Sequence, residues 1–125
     1  MARPKREESP GRLSPSEWEI MMICWRLGRA NVRQILREDL KTRIRDYRTI
    51  LTFVSRIAKK GWLEVEMEGN TNYYTPAIPQ EDGLQLEIER FLSETIGSDP
   101  DHLELLQKAL DARRHQSRRR RPKSS

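Results

Sequence analysis

DYRTILTFVSRIAKKG, running from Asp46 to Gly61, reads as one amphipathic helix of about four turns. Asp46 suits the N-cap, because its carboxylate can accept from the free N–H groups of the first turn. Lys59 and Lys60 fall in the last turn, where cations complement the helix dipole, and Gly61 can take the left-handed conformation that ends the helix. Ile50, Val54, Ile57 and Ala58 recur at helical spacing and predict the buried stripe. The opposite face carries Arg48, Thr49, Thr52, Ser55, Arg56 and Lys59, and no carboxylate. Arginine can pair two donors with guanine, and threonine offers both a hydroxyl and a methyl. Such a face fits DNA; it also fits a helix that meets only water.

The charge distribution favours the first of these. Residues 29–60 hold ten Lys/Arg against three Asp/Glu. Residues 81–111 reverse this, with two against nine, and residues 112–125 hold seven cations and no acid. Positive charge gathered around one helix and one tail points to a polyanionic partner, most simply nucleic acid. The chain has 125 residues, 35% hydrophobic and 34% charged, which predicts one modest core with disordered ends. A single cysteine, Cys24, excludes an internal disulfide and a cysteine-cluster metal site, and it reads as a buried thiol. No apolar run is long enough to span a membrane and no signal core follows the N-terminal charges, so a cytoplasmic location is expected.

In chain order, residues 1–12 are charged and rich in Pro and Gly, and predict a disordered arm. SPSE then places Ser14 at an N-cap, Pro15 at N1 and Glu17 at N3, a capping box. Trp18, Met21, Met22 and Trp25 follow at spacings of three and four, broadened by Ile20, Cys24 and Leu27, and Gly28 closes this scaffold helix. Asn31 caps a second helix, VRQILREDL, whose Val32, Ile35, Leu36 and Leu40 face inward while Arg33 and Arg37 face out. KTRIR, residues 41–45, is a basic connector with room for one short strand. Two short helices joined by a turn, the second cationic on one face, make a helix-turn-helix pattern. After Gly61 the period alternates: WLEVEM sets Trp62, Val65 and Met67 against Glu64 and Glu66, Glu68-Gly69-Asn70 turns, and TNYYT returns as a second strand ended by Pro76.

Three separated runs, LSPSEWEIMMICW, YRTILTFVSRIAKKGWL and EGNTNYYTP, resemble the penicillinase repressor family, which includes the beta-lactamase, methicillin-resistance and copper-responsive repressors of bacteria. Glu17-Trp18 match its first motif. Thr49, Ile50, Thr52, Arg56, Ile57, Lys60 and Gly61 match the second, with Val54 in a leucine slot, and Gly69, Tyr74 and Pro76 match the third. The resemblance covers about residues 13–76. Three helices and then a hairpin read as a mainly α winged helix-turn-helix with a small β-hairpin at residues 13–78, which the resemblance also implies; a helical dimerisation segment is expected at 79–114, and composition predicts a disordered basic tail at 115–125. The resemblance further implies a homodimeric repressor that binds an inverted-repeat operator in double-stranded DNA, with a sensor protease as a candidate partner. The expected DNA-binding set is Arg45, Tyr47, Arg48, Thr49, Thr52, Ser55, Arg56, Lys60 and Asn70.

The departures carry information. Asn70 stands where the family has an arginine after the wing glycine, and Glu64, Glu66 and Glu68 repel phosphate, so the helix must carry more of the affinity than the wing. No Asn precedes a Phe, so the bond that the family's protease cuts is missing, as is the C-terminal cysteine cluster of the copper-responsive branch.

Residues 81–114 predict two helices. Leu84, Ile88, Phe91, Leu92 and Thr95 stripe the first and Gly97 breaks it; Ser98 or Asp99 caps the second, striped by Leu103, Leu106 and Leu110 beside Leu105 and Ala109. Such a pair cannot bury its apolar face alone. The expected dimerisation residues are Leu84, Ile88, Phe91, Leu92, Leu103, Leu106 and Leu110, on a second copy of the chain; folding back on the winged helix is the other arrangement.

No cofactor, metal site or catalysis is expected. His102 and His115 have no nucleophile or ligand partner in sequence, Glu17 and Glu19 read as a cap and a solvated face, and no glycine-rich phosphate loop follows a strand. The rival to a repressor is a winged-helix protein-interaction module whose basic tail alone touches nucleic acid, a reading the acidic wing keeps open. If residues 112–125 lie along DNA, deleting them lowers affinity for specific and random duplexes by similar factors. The slope of log affinity against log salt should then flatten by ~0.9 for each phosphate that the tail had neutralised, measured by fluorescence anisotropy across a salt series.

Overall fold

The computed structural model describes residues 9–120, with side chains through Arg118. The elements run α1 (Pro15–Leu27), α2 (Val32–Asp39), α3 (Tyr47–Lys59), β1 (Leu63–Glu68), β2 (Thr71–Pro76), α4 (Gln80–Phe91), a π-helical turn (Leu92–Ile96) and α5 (Pro100–Arg120). They form two units, one ending at Gly83 and one beginning at Leu84.

Local chemistry starts each helix of the first unit. Ser14 Oγ accepts from the Glu17 N–H at 3.2 Å while the Glu17 carboxylate accepts from the Ser14 N–H at 2.8 Å. Asn31 and Gln34 make the same reciprocal pair at 2.9 Å each, a capping box in which the sequence had shown only the asparagine. Asp46 caps α3 by accepting from the Thr49 N–H at 2.8 Å, and Gly61 leaves the helix at φ +94°, in the left-handed region. The three helices pack on one another around Ile20, Met21, Ile23, Cys24, Val32, Ile35, Ile50, Val54 and Ile57, all buried. Burial pushes the Cys24 thiol up to about 12, leaving it protonated and inert.

The hairpin pairs β1 with β2 antiparallel, Leu63 opposite Pro76 and Glu68 opposite Thr71. A third backbone segment joins it. The Ala30 N–H donates to the Tyr74 carbonyl at 3.0 Å and the Tyr74 N–H to the Ala30 carbonyl at 2.7 Å. The short strand expected at residues 41–45 is absent. There the N–H groups of Lys41, Thr42 and Arg43 bond back to the Glu38 and Asp39 carbonyls, winding the connector into a turn. Three helices followed by this hairpin make a winged helix.

Several expected inward residues face out. Val65 and Met67 are exposed, because only Trp62, Leu63 and Tyr74 of the wing reach the core. Leu40 and Met22 are exposed too, while Ile23 takes an inward place that the wider apolar run on α1 had hidden.

Trp18, Trp25 and Trp62 form a triangle with ring centroids 5.4–6.2 Å apart, the Trp62 pairs edge-on and the Trp18–Trp25 pair tilted. Two of the indole N–H groups are satisfied by backbone carbonyls: Trp62 Nε1 donates to Gly11 O at 2.7 Å and Trp25 Nε1 to Ile78 O at 2.8 Å. Residues 9–12, expected as part of a disordered arm, are therefore pinned to the core, with the Gly11 N–H also donating to Lys60 O at 2.9 Å. Residues 1–8 of that arm lie outside the described residues.

The second unit contains the rest of α4, the π-helical turn and α5. Asp99 Oδ1 accepts from the Asp101 N–H at 2.8 Å and caps α5. The tail expected to be disordered from residue 115 is helical as far as Arg120, because arginine and glutamine are good helix formers and cations stabilise a helix C-terminus. Residues 121–125 lie outside the described residues.

The first turn of α4 reaches the tryptophan triangle at Gly83. A Cβ there would stand 2.6 Å from a Trp62 ring carbon and 3.1 Å from Trp25. Gly83→Ala must displace two indoles in a filled core, and we expect a loss of about 2 kcal/mol in chemical denaturation, from overpacking.

Candidate nucleic-acid interface

The outward face of α3 is built by subtraction. Ile50, Val54 and Ile57 point into the core, leaving Arg48, Leu51, Thr52, Ser55, Arg56 and Lys59 exposed. Arg48, Arg56 and Lys59 form no salt bridge with another described residue, and no acid lies on this face. Thr52 Oγ1 donates to the Arg48 carbonyl at 3.0 Å. Its hydroxyl proton is thus committed to the backbone, and the side chain presents acceptor lone pairs and a methyl outward. The Thr49 N–H holds the Asp46 carboxyl below its ordinary pKa, so the cap stays ionised. Tyr47 is exposed at the start of the helix, with the Arg33 guanidinium 5.8 Å from its ring centre.

Two residues of the expected DNA-binding set are engaged elsewhere. Arg45, with 15% of its side chain exposed, donates to Asp39 Oδ1 at 2.8 Å and to Glu19 Oε1. Glu19 also accepts from Arg43 at 2.7 Å. The Arg45 hydrogen bond, followed by the Arg43 charge, holds the Glu19 carboxyl below its ordinary pKa. Lys60 donates to Glu17 Oε1 at 2.6 Å and to the Arg12 carbonyl at 2.8 Å. Glu17 is only 3% exposed. Its burial raises its pKa, but the Lys60 ammonium and the Ser14 N–H outweigh that and keep it below the ordinary value. Arg45 and Lys60 therefore fasten α3 to α1 and α2 in this structure. Their partners on α1, Glu19 and Glu17, lie 26 and 43 residues away in sequence, beyond any local pattern, while Asp39 is six residues from Arg45. Lys59 and Leu51, outside the expected set, are exposed on the same face, where helical periodicity alone would put them.

Asn70 sits exposed at the wing tip. Glu68 beside it is paired with Arg29 at 2.6 Å, and the Arg29 guanidinium stacks 4.1 Å from the Tyr73 ring centre. One of the three wing acids is thus neutralised, and the wing is tied to the loop that precedes α2.

Residues 13–118 match the penicillinase repressor family. The chain belongs to this family. It is 32% identical over 82 residues to the penicillinase repressor of Bacillus licheniformis, covering 66% of this chain and 64% of that protein. It is 38% identical over 80 residues to an uncharacterised 16.5 kDa protein of Latilactobacillus sakei, covering 62% and 53% respectively. The chain thus spans 53% to 64% of the length of these two relatives. Among solved structures it resembles the DNA-binding domain of the repressor BlaI, with 33% identity and a TM-score of 0.53 over 60% of this chain and 90% of that one. It also resembles monomeric Bacillus licheniformis BlaI in complex with the blaP half-operator, with 33% identity and a TM-score of 0.50 over 58% of this chain and 88% of that one.

The Glu17–Lys60 pair has a pH signature. A carboxyl with a lowered folded pKa contributes stability above its unfolded pKa and loses it as pH falls through the folded one. Lys60→Met keeps the stem but strands a buried carboxylate. We expect a loss of about 2 kcal/mol at pH 7, below the usual 3–5 for a broken buried pair because the ammonium is partly exposed. Once Glu17 is protonated in both proteins, at a pH below its lowered folded pKa, the gap between variant and parent should close, as thermal melts in a series from pH 7 down to pH 2.5 would show.

Proposed function

We propose that this protein is a sequence-specific transcriptional regulator, a homodimeric repressor that works in the cytoplasm and binds an inverted-repeat operator through α3. The observation that carries this reading is the exposed, acid-free face of Arg48, Thr52, Ser55, Arg56 and Lys59 on a firmly anchored helix. It gains weight from the likeness to a repressor whose structure holds a half-operator. Arg48, Thr49 and Thr52 lie toward the N-terminal half of α3, the part of a recognition helix that meets base edges, while Arg56 and Lys59 suit phosphates.

Dimerisation is supported by the second unit, where Leu84, Ile88, Phe91, Leu103 and Leu110 are exposed and Leu92 and Leu106 only half-buried. No helix among the described residues is long and apolar enough to cross a membrane. A sensor protease remains a proposed partner, acting at a bond other than Asn-Phe. No described residues group as a metal site, and we propose no cofactor and no catalysis.

Arg48→Ala or Thr52→Ala should weaken binding to a duplex selected from a random pool by roughly 1–3 kcal/mol and relax its sequence preference. Arg56→Ala and Lys59→Ala should weaken all duplexes alike. Full retention of selective binding by folded Arg48 and Thr52 variants would refute the assignment. Sedimentation should show the full chain as a dimer. Ile88→Glu with Leu103→Glu should give a monomer that loses affinity for the palindrome far more than for a single half-site, because the two half-sites are no longer joined.

A further inference from the structure

The connector into α3 carries an anomaly. Ile44 is 97% exposed, the highest value among the exposed large hydrophobic residues. A lone surface isoleucine is ordinary. This one is held out by construction. The residues on either side, Arg43 and Arg45, both turn their side chains to Glu19, and Arg45 also reaches the buried Asp39. The N–H groups of Lys41, Thr42 and Arg43 are bonded back to the end of α2. Both neighbours are thus tied inward, and Ile44, branched at Cβ and stiff, stands outward between them. It lies two residues before Asp46, the N-cap of α3, so it is within about 8 Å of the helix start along the chain.

We propose that Ile44 is a specificity-determining contact that packs on the 5-methyl group of a thymine in the major groove. The inference rests on the reading of α3 as the recognition helix. Recognition helices meet base edges with their N-terminal ends, and the connector delivers Ile44 to that end. The thymine methyl is the apolar feature of the major-groove edge, and an apolar side chain is its natural partner. The surrounding surface supplies no rival partner for Ile44: its chain neighbours are arginines engaged with Glu19, and Tyr47 and Arg48 follow the cap. An isoleucine fixed here adds a thymine preference beside the start of α3, beyond any that the Thr49 and Thr52 methyls supply.

The test deletes the methyl from the DNA and the side chain from the protein. Duplexes selected by the full chain from a random pool are remade with deoxyuridine replacing each thymine in turn, and anisotropy titrations compare the parent with Ile44→Ala. At one thymine per half-site the parent should lose about fourfold in affinity, the worth of one methyl-sized group buried. Ile44→Ala should bind the unmodified duplex more weakly by a similar factor and be indifferent to deoxyuridine at that position, while keeping any thymine sensitivity due to Thr49 or Thr52. Ile44→Ala that binds as the parent does, with every thymine sensitivity intact, overturns the proposal. So does an equal loss on selected and random duplexes with thymine sensitivity unchanged, which would place Ile44 on the sugar-phosphate backbone. If the parent selects no sequence at all, the reading of α3 fails, a result distinct from failure of the isoleucine contact. A parent indifferent to deoxyuridine at every thymine overturns the proposal without any variant, and should Ile44→Ala prove unstable, Ile44→Ser takes its place in the comparison.

Discussion

Two carboxylates on α1 determine what α3 can do. Glu17 takes the Lys60 ammonium at one end of the helix, and Glu19 takes Arg45 and Arg43 at the other. With Asp39 of α2 on the second bond of Arg45, these pairs fasten both ends of α3 to the rest of the three-helix core. The cations left between and beyond them face outward. A recognition surface needs such rigidity, because contacts to base edges depend on placement within fractions of an ångström. Ion pairs are poor sources of net stability: desolvation offsets the attraction where the acid is buried, as at Glu17 and Asp39, and water screens it where the acid is exposed, as at Glu19. Their use here is positional: each carboxylate holds a cation that fixes an end of the helix.

The same division explains the wing. Its strands carry three glutamates, which is unfavourable beside phosphate. Arg29 removes part of that charge through Glu68 and stacks on Tyr73, bracing the hairpin against the segment that also bridges Ala30 to Tyr74. An acidic, braced wing contributes shape more than charge, and on the function proposed above α3 would carry most of the DNA affinity. Val65 and Met67, exposed on the hairpin, give the wing an apolar face as well, and they are the one feature that favours contact with another protein there.

Stability of the first unit depends on aromatic packing as much as on the helices. The tryptophan triangle draws in Gly11 and Ile78 through its indole N–H groups and accepts the first turn of α4 at a residue without a side chain. The second unit is the reverse case. Leu84, Ile88, Phe91, Leu103, Leu105 and Leu110 remain exposed in a single chain, and an exposed apolar stripe on both helices is a surface that a partner would cover.

The helices, their caps and the hairpin were legible in the sequence because each depends on neighbours three or four positions away. Ser14 with Glu17, Asp46 with Thr49, and the stripe of Ile50, Val54 and Ile57 are local facts. So was the family, through motifs at Glu17-Trp18, Thr49–Gly61 and Gly69–Pro76. Charge blocks likewise supported the reading of a polyanionic partner. What the sequence could not show is which cation meets which acid. Arg45 and Arg48 look alike in a string of residues; one is held by Glu19 and Asp39 and the other faces out. Tertiary folding set that difference, because an ion pair depends on distance in space and Glu19 lies 26 residues from Arg45. The Ala30 bridge, the pinned Gly11, the glycine under the indoles and the outward Ile44 are of the same kind. In each, a contact between distant segments overrode what local periodicity or composition implied.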